Sequence, residues 1–176
     1  MSRRWEPLTL RVDPVAHAGE IARFLGKVVV GPRIEDCAIY VGALSEGYGV
    51  FALRRGGVVR VVRAARYALA LSLNGEPLSA QVRALHQCDN TVCVRVVPAE
   101  EAGGRRLHVV PGDQRENLKR MAQMRRGGGR PAILTRGAGV VQRIERALAL
   151  REAVRDGWDA EAVAAALLGT NEPTLW

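Results

Sequence analysis

The chain has 176 residues and a mass of 19.1 kDa, enough for one ordinary domain with its own core, or a small domain with an appendage. Its 48% hydrophobic and 25% charged content excludes a disordered chain, and no apolar run approaches the roughly 20 residues of a membrane-spanning helix. The net charge of +8, carried by 24 arginines and only two lysines, points to a polyanionic partner or, more blandly, to a solvated basic surface.

Residues 1–36 read as an entry segment with one short helix. Apolar positions at Val15, Ile21, Ala22, Phe24 and Leu25 give Pro14 to Lys27 a helical spacing that Pro32 ends, and Val28 to Val30 read as extended. His17 lies on this helix with no partner in sight. From Cys37 the texture turns to β. CAIYVGAL reads as one strand, SEGYG as a turn, VFALRR as a second strand, Arg55-Gly56-Gly57 as the next turn and VVRVVR as a third strand. This predicts a small antiparallel meander. RAARYALALSL then predicts a helix from Arg63 to Leu73, stopped at Asn74-Gly75, and residues 76–85 a connection and short strand leading to His86.

After Cys93, Pro98 and Gly103-Gly104 mark a loop or hairpin, and His108 to Val110 a short strand. Asp113, with Glu116 three residues on, has the pattern of a capping box opening the helix DQRENLKRMAQMRR. Gly127 to Pro131 reads as a linker. Beyond it, VVQRIERALALREAVRDG and AEAVAAALL predict two helices separated by Gly157, the second capped by Asp159. The seven residues after Gly169 are too few for an ordinary recognition helix, so the tail reads as a helical hairpin.

The three cysteines and three histidines narrow the chemistry. An odd number of cysteines, with no apolar leader behind MSRR, argues against a disulfide scaffold and predicts a reduced, cytoplasmic compartment. In HQCDNTVC, Cys88 and Cys93 are spaced so that both reach one tetrahedral zinc, with Cys37 and His108 to close a Cys3His site. The alternative is that the cysteines are simply buried as small hydrophobes. His86 ends one predicted strand, His108 lies in a second, and Asn117 sits one turn into the following helix. That is a ββα order in which a histidine supplies a general base and an amide oxygen offers Mg2+ a hard ligand.

Several stretches in order carry a family likeness: CAIYVG from Cys37, Gly47-Tyr48-Gly49, Ala65-Arg66, HQCDNTVC from His86, and HVVPGDQREN ending at Asn117. Over residues 20–131 the chain resembles the His-Me finger, or HNH, endonucleases, in the zinc-bearing, His-Cys-box-like branch of phage and homing enzymes. The resemblance implies an α+β fold: a small antiparallel sheet and a zinc-tied ββα finger over 37–130, then a linker and helical hairpin over 131–176. It implies a Mg2+-dependent DNA endonuclease or nickase that leaves 5′-phosphate and 3′-hydroxyl ends. His86 is then the general base, Asn117 the Mg2+ ligand and Arg66 a contact to the scissile phosphate, with Cys37, Cys88, Cys93 and His108 holding structural zinc. A phage-encoded member would act in the host-cell cytoplasm.

This chain departs from the family in three places. The interval from Cys93 to His108 is longer than usual, read as a grown loop. Ala65 replaces a histidine before Arg66, and Ala38 replaces an aromatic after Cys37. The resemblance implies double-stranded DNA as the partner, with no membrane. Its backbone contacts are expected from the sheet arginines and from the 113–136 stretch, where seven basic residues stand against two acidic ones: Arg115, Lys119, Arg120, Arg125, Arg126 and Arg130 are the named candidates. The alternative function on the same scaffold is a zinc-stabilised DNA-binding protein that does not cut.

Overall fold

A computed structural model describes residues 8–104, 107–123 and 132–168. The architecture is α+β, with several small antiparallel sheets rather than one large one. In chain order the elements are β1 (Leu10–Arg11), α1 (Ala18–Leu25), β2 (Val28–Val30), β3 (Ala38–Tyr40), β4 (Leu44–Ser45), β5 (Tyr48–Arg55), β6 (Val58–Arg63) and α2 (Ala64–Ser72). Then follow β7 (Pro77–Leu78), β8 (Arg83–His86), α3 (Ala99–Ala102), β9 (Val109–Gly112), α4 (Gln114–Gln123), α5 (Ala132–Ala153) and α6 (Ala160–Leu168).

The meander forms as β4-β5-β6, but the single strand expected over 37–44 is two. The break falls at Gly42, where a Cβ would lie 2.3 Å from the Tyr40 hydroxyl oxygen; the ring folds across a position only glycine leaves open. Between β5 and β6 the chain reverses in two residues, Gly56 and Gly57, with φ of 55° and 74°. Those angles belong to the tight hairpin turn that suits the right-handed twist of the strands. Phe51 and Leu53 of β5 point inward, and β6 runs along an open edge with Val58, Val59 and Arg60 exposed.

α1 starts at Ala18, four residues later than the pattern predicts. The Asp13 side chain accepts the Val15 and Ala16 amides, and His17 Nδ1 accepts the Asp13 amide at 2.9 Å, so residues 13–17 close a turn of their own. His17 therefore has a role that the periodicity does not reveal. Where the pattern predicts a loop after Pro98, α3 makes a single helical turn, closed by Gly103 in the left-handed conformation.

Two cores lie on either side of β3. Because successive strand residues face opposite ways, Ala38 and Tyr40 join one core, while Cys37 and Ile39 join the other. The first core is aromatic: Phe24, Tyr40, Phe51 and Tyr67 pack with ring centroids 4.5 to 5.6 Å apart. Pairs of this kind are worth about 0.5–1.5 kcal/mol beyond their buried area. The second core joins Cys37, Ile39, Val92 and Cys93 to Ala147, Leu150, Val154 and Val163 from the C-terminal hairpin. By its sequence pattern the hairpin is a unit of its own; in the fold its apolar stripe closes against the cysteine-bearing strand and loop. α5 begins at Ala132, directly after the glycine-rich stretch that reads as linker.

β8 and β9 pair antiparallel, with His86 opposite Val109 and Arg83 opposite Gly112, and α4 follows after Asp113. The capping box forms as predicted: the Glu116 carboxylate accepts the Asp113 amide at 2.8 Å, and Asp113 Oδ1 accepts the Glu116 amide at 2.7 Å. Asp159 likewise caps α6 through the Ala162 amide.

Candidate metal centre

Three segments remote in sequence converge on one point. Cys37 immediately precedes β3. Cys88 and Cys93 flank the loop after β8, and that loop is seated on β3 by backbone bonds: the Tyr40 amide donates to Val92, and the Val94 amide to Ala38, at 2.9 and 2.8 Å. His108 precedes β9, its carbonyl accepting the Gln87 amide at 2.7 Å. The side-chain donor atoms of Cys37, Cys88, Cys93 and His108 all lie within 4.8 Å of one another. His108 Nδ1 is 3.6 Å from Cys37 Sγ and 3.7 Å from Cys93 Sγ.

These distances fit a tetrahedral ion. With bonds of about 2.3 Å to sulfur and 2.1 Å to nitrogen, tetrahedral angles put a sulfur and a nitrogen ligand roughly 3.6 Å apart. The outer partner is present as well. His108 Nε2 lies 3.0 Å from the Ile34 carbonyl, which accepts its proton and so leaves the Nδ1 lone pair for a metal. Three cysteines and one histidine can thus hold a cation such as zinc, in a setting where Cys93 and His108 are buried and Cys88 is half-exposed.

The electrostatics of the cluster without an ion are those of thiols competing for protons. Hydrogen bonds from Cys88 and Cys93 hold the Cys37 thiol far below its usual range, with His108 and Asn90 adding to the effect. Burial pushes the Cys93 thiol well up. Cys88 is opposed by Cys37 but lowered by Cys93, and His86 is among the groups that help to lower it. Bonds to Cys37 and Cys88 raise His108 to about 10. A bound divalent cation replaces that shared proton and lets all three sulfurs ionise together.

A cavity of about 320 Å³ opens beside the cluster, lined by Asp36, Cys37, Cys88, His108, Trp158 and Val163. Trp158 comes from the turn between α5 and α6 and packs where a Cβ on Gly31 would come within 2.7 Å of its ring. The C-terminal hairpin therefore walls the candidate centre. The sequence offers little to foresee this beyond the aromatic after Gly157.

The remaining candidate residues fall in different surroundings. His86, at the end of β8, shares a sheet face with Ala84 and the buried Val109, and its Nδ1 is buried with no hydrogen-bond partner among the described residues. Asn117 is half-buried in the first turn of α4, its amide donating to the Asp113 carbonyl. Arg66 spends its guanidinium on backbone: it donates to the carbonyls of Val82, Leu8 and Ser79, the last two at 2.8 and 2.9 Å. It thereby braces α2 against two chain segments. Arg115 and Lys119 are exposed on α4, Arg120 lies further along the same helix, and Arg125, Arg126 and Arg130 lie outside the described residues. Arg54 and Arg60, two of the sheet arginines expected to meet phosphate, stand exposed and unpaired among the described residues of the β5–β6 hairpin.

No family model, curated protein or solved structure matches this chain. Among the described residues, no helix is long and apolar enough to cross a membrane.

Proposed function

We propose that this chain is a Mg2+-dependent DNA endonuclease or nickase whose ββα segment is tied together by a structural zinc. The observation that carries the reading is the chain order around the cluster. Strand β8 ends at His86, the cysteine loop closes on His108, β9 returns, and a capped α4 carries Asn117. Such an arrangement needs few residues to position a base and a metal ligand, because the metal-ligand bonds supply the rigidity that so small an element lacks.

In this reading His86 takes a proton from water as the water oxygen attacks phosphorus, and the 3′ oxygen leaves and is protonated. The Asn117 amide oxygen would be the protein's ligand for Mg2+, and the ion would supply charge to offset that on the phosphate and the departing oxygen. Arg115, Lys119, Arg120, Arg125, Arg126 and Arg130 hold the DNA backbone, together with Arg54 and Arg60 of the sheet. The zinc takes no part in the chemistry; four protein ligands leave it no open position.

Two observations favour a second reading, a zinc-stabilised DNA-binding protein that does not cut. His86 lies beside Cys88 with its Nδ1 sealed from solvent, and Arg66 is already committed to three carbonyls. Nicking of supercoiled plasmid with and without Mg2+ separates the two. On the nuclease reading the wild type nicks and His86→Ala does not, with zinc content and DNA affinity unchanged. Salt-sensitive DNA binding without nicking by either protein selects the second.

A further inference from the structure

We propose that Asn90 is a positioning residue of the metal centre, its amide nitrogen donating to the Cys37 thiolate while its oxygen holds the Cys88–Cys93 loop in shape. The inference rests on the metal centre and is independent of the nuclease reading. Asn90 is wholly buried, at 0% exposure. Its Oδ1 accepts the Val92 amide at 3.0 Å and its carbonyl accepts the Cys93 amide at 3.1 Å, so one half of the residue is accounted for as a turn former.

The other half is not. Asn90 Nδ2 is buried and has no hydrogen-bond partner among the described residues. Leaving such a donor unmet costs about 1–3 kcal/mol, which a buried turn alone does not require, since an aspartate or serine oxygen accepts the same amide. Asn90 lies in the loop between Cys88 and Cys93, whose sulfur atoms are within 4.8 Å of Cys37 Sγ, and its amide is among the groups that help to hold the Cys37 thiol low. A thiol is a weak acceptor, whereas ionised sulfur is a strong one.

The charge of the filled centre supplies the reason for the donor. Three thiolates and one neutral imidazole around a divalent ion leave a net charge of −1, sunk into a core formed by Ile39, Val92, Leu150 and Val154. A buried charge of that kind needs hydrogen bonds to its sulfur atoms. The unmet Asn90 Nδ2 donor would give one, and the same bond would fix the direction of Cys37 toward the cation.

Asn90→Asp tests this, because it keeps size and the accepting oxygen but loses both N–H donors. Co2+ is the probe, with affinity measured by competition against a chelating dye. The wild type takes up one Co2+ per chain with tetrahedral visible bands. The variant is expected to bind about 10–100-fold more weakly, the usual cost of losing an outer partner of a metal ligand. Its sulfur-to-cobalt charge-transfer band also moves, a signature that loss of the turn alone would not produce. Asn90→Ser, whose hydroxyl can cap the loop but which has no amide nitrogen, is expected to shift the band in the same way and guards against a variant that fails to fold. Wild-type affinity and band position in a folded variant would overturn the proposal. Unfolding of both variants at saturating Co2+ would assign Asn90 to the loop alone, with the same effect. A wild type that takes up no Co2+ would overturn the metal centre itself.

Discussion

Replacing Leu150 by Ala tests whether the C-terminal hairpin is part of the body that holds the cluster. Leu150 is fully buried at 0% exposure, packed in the core that contains Cys37 and Cys93. The change leaves helix propensity intact, since alanine is the best helix former, so the loss comes from burial and the space left behind. Leucine-to-alanine changes at such sites cost about 2–5 kcal/mol. In a chain of this size each kcal/mol lowers the melting temperature by roughly 2–4 °C, so a fall of about 6–12 °C is expected for a mid-range 3 kcal/mol. Leu148 is the control, on the same helix but 51% exposed. Its replacement should cost under about 0.5 kcal/mol. Urea unfolding and differential scanning calorimetry on both variants, with zinc supplied, give the comparison. A loss under about 1 kcal/mol at Leu150, or equal losses at the two sites, would refute the packing of α5 against the metal-bearing strand.

The other expectations are briefer. Purified protein should carry one zinc per chain, and chelation or Cys88→Ser should lower its melting temperature sharply, checked by metal analysis and thermal unfolding; three freely titratable thiols in the native protein would contradict this. His86→Ala should cut plasmid nicking by about 10²–10⁴ while zinc content and circular dichroism stay constant. Changing Arg54 and Arg60 together to Ala should weaken binding to all DNA sequences alike and reduce the log–log salt slope by about 0.9 for each phosphate no longer neutralised, measured by fluorescence anisotropy across salt concentrations. An unchanged slope would remove the β5–β6 hairpin from the interface.

Local signals in the sequence carry the secondary structure well where chemistry and geometry agree. Gly56-Gly57 and the Asp113/Glu116 box form the turn and cap their residue types require, the first joining β5 to β6 and the second opening α4. The three cysteines and His108 are legible as one site because soft donors so scarce in the chain have few other ways to close a tetrahedron. Other features need the tertiary structure. The strand over 37–44 divides because the Tyr40 ring lies over Gly42, a contact no periodicity encodes. Asp13 steals the first turn of α1 by taking backbone amides that would otherwise extend the helix. The apolar stripe of α5 announces that something covers it but not what, and only packing identifies β3 and the cysteine loop as its partner. Arg66 reads in the sequence as a phosphate contact, yet its spacing says nothing of the three carbonyls that accept its protons.

Strand β3 has a consequence for how this chain can vary. It is a party wall three residues thick, with aromatic rings on one side and sulfur on the other. Adding or removing one residue between Cys37 and Tyr40 would put both side chains on one face, sending either the Tyr40 ring toward the cysteine loop or Cys37 toward Phe24. No compensating change on one side alone could repair that. Length is therefore locked here more tightly than identity, as it is at Cys93 and Val94, which also face opposite cores, whereas the exposed turn at Gly103 and Gly104 lies outside both cores and carries no such constraint.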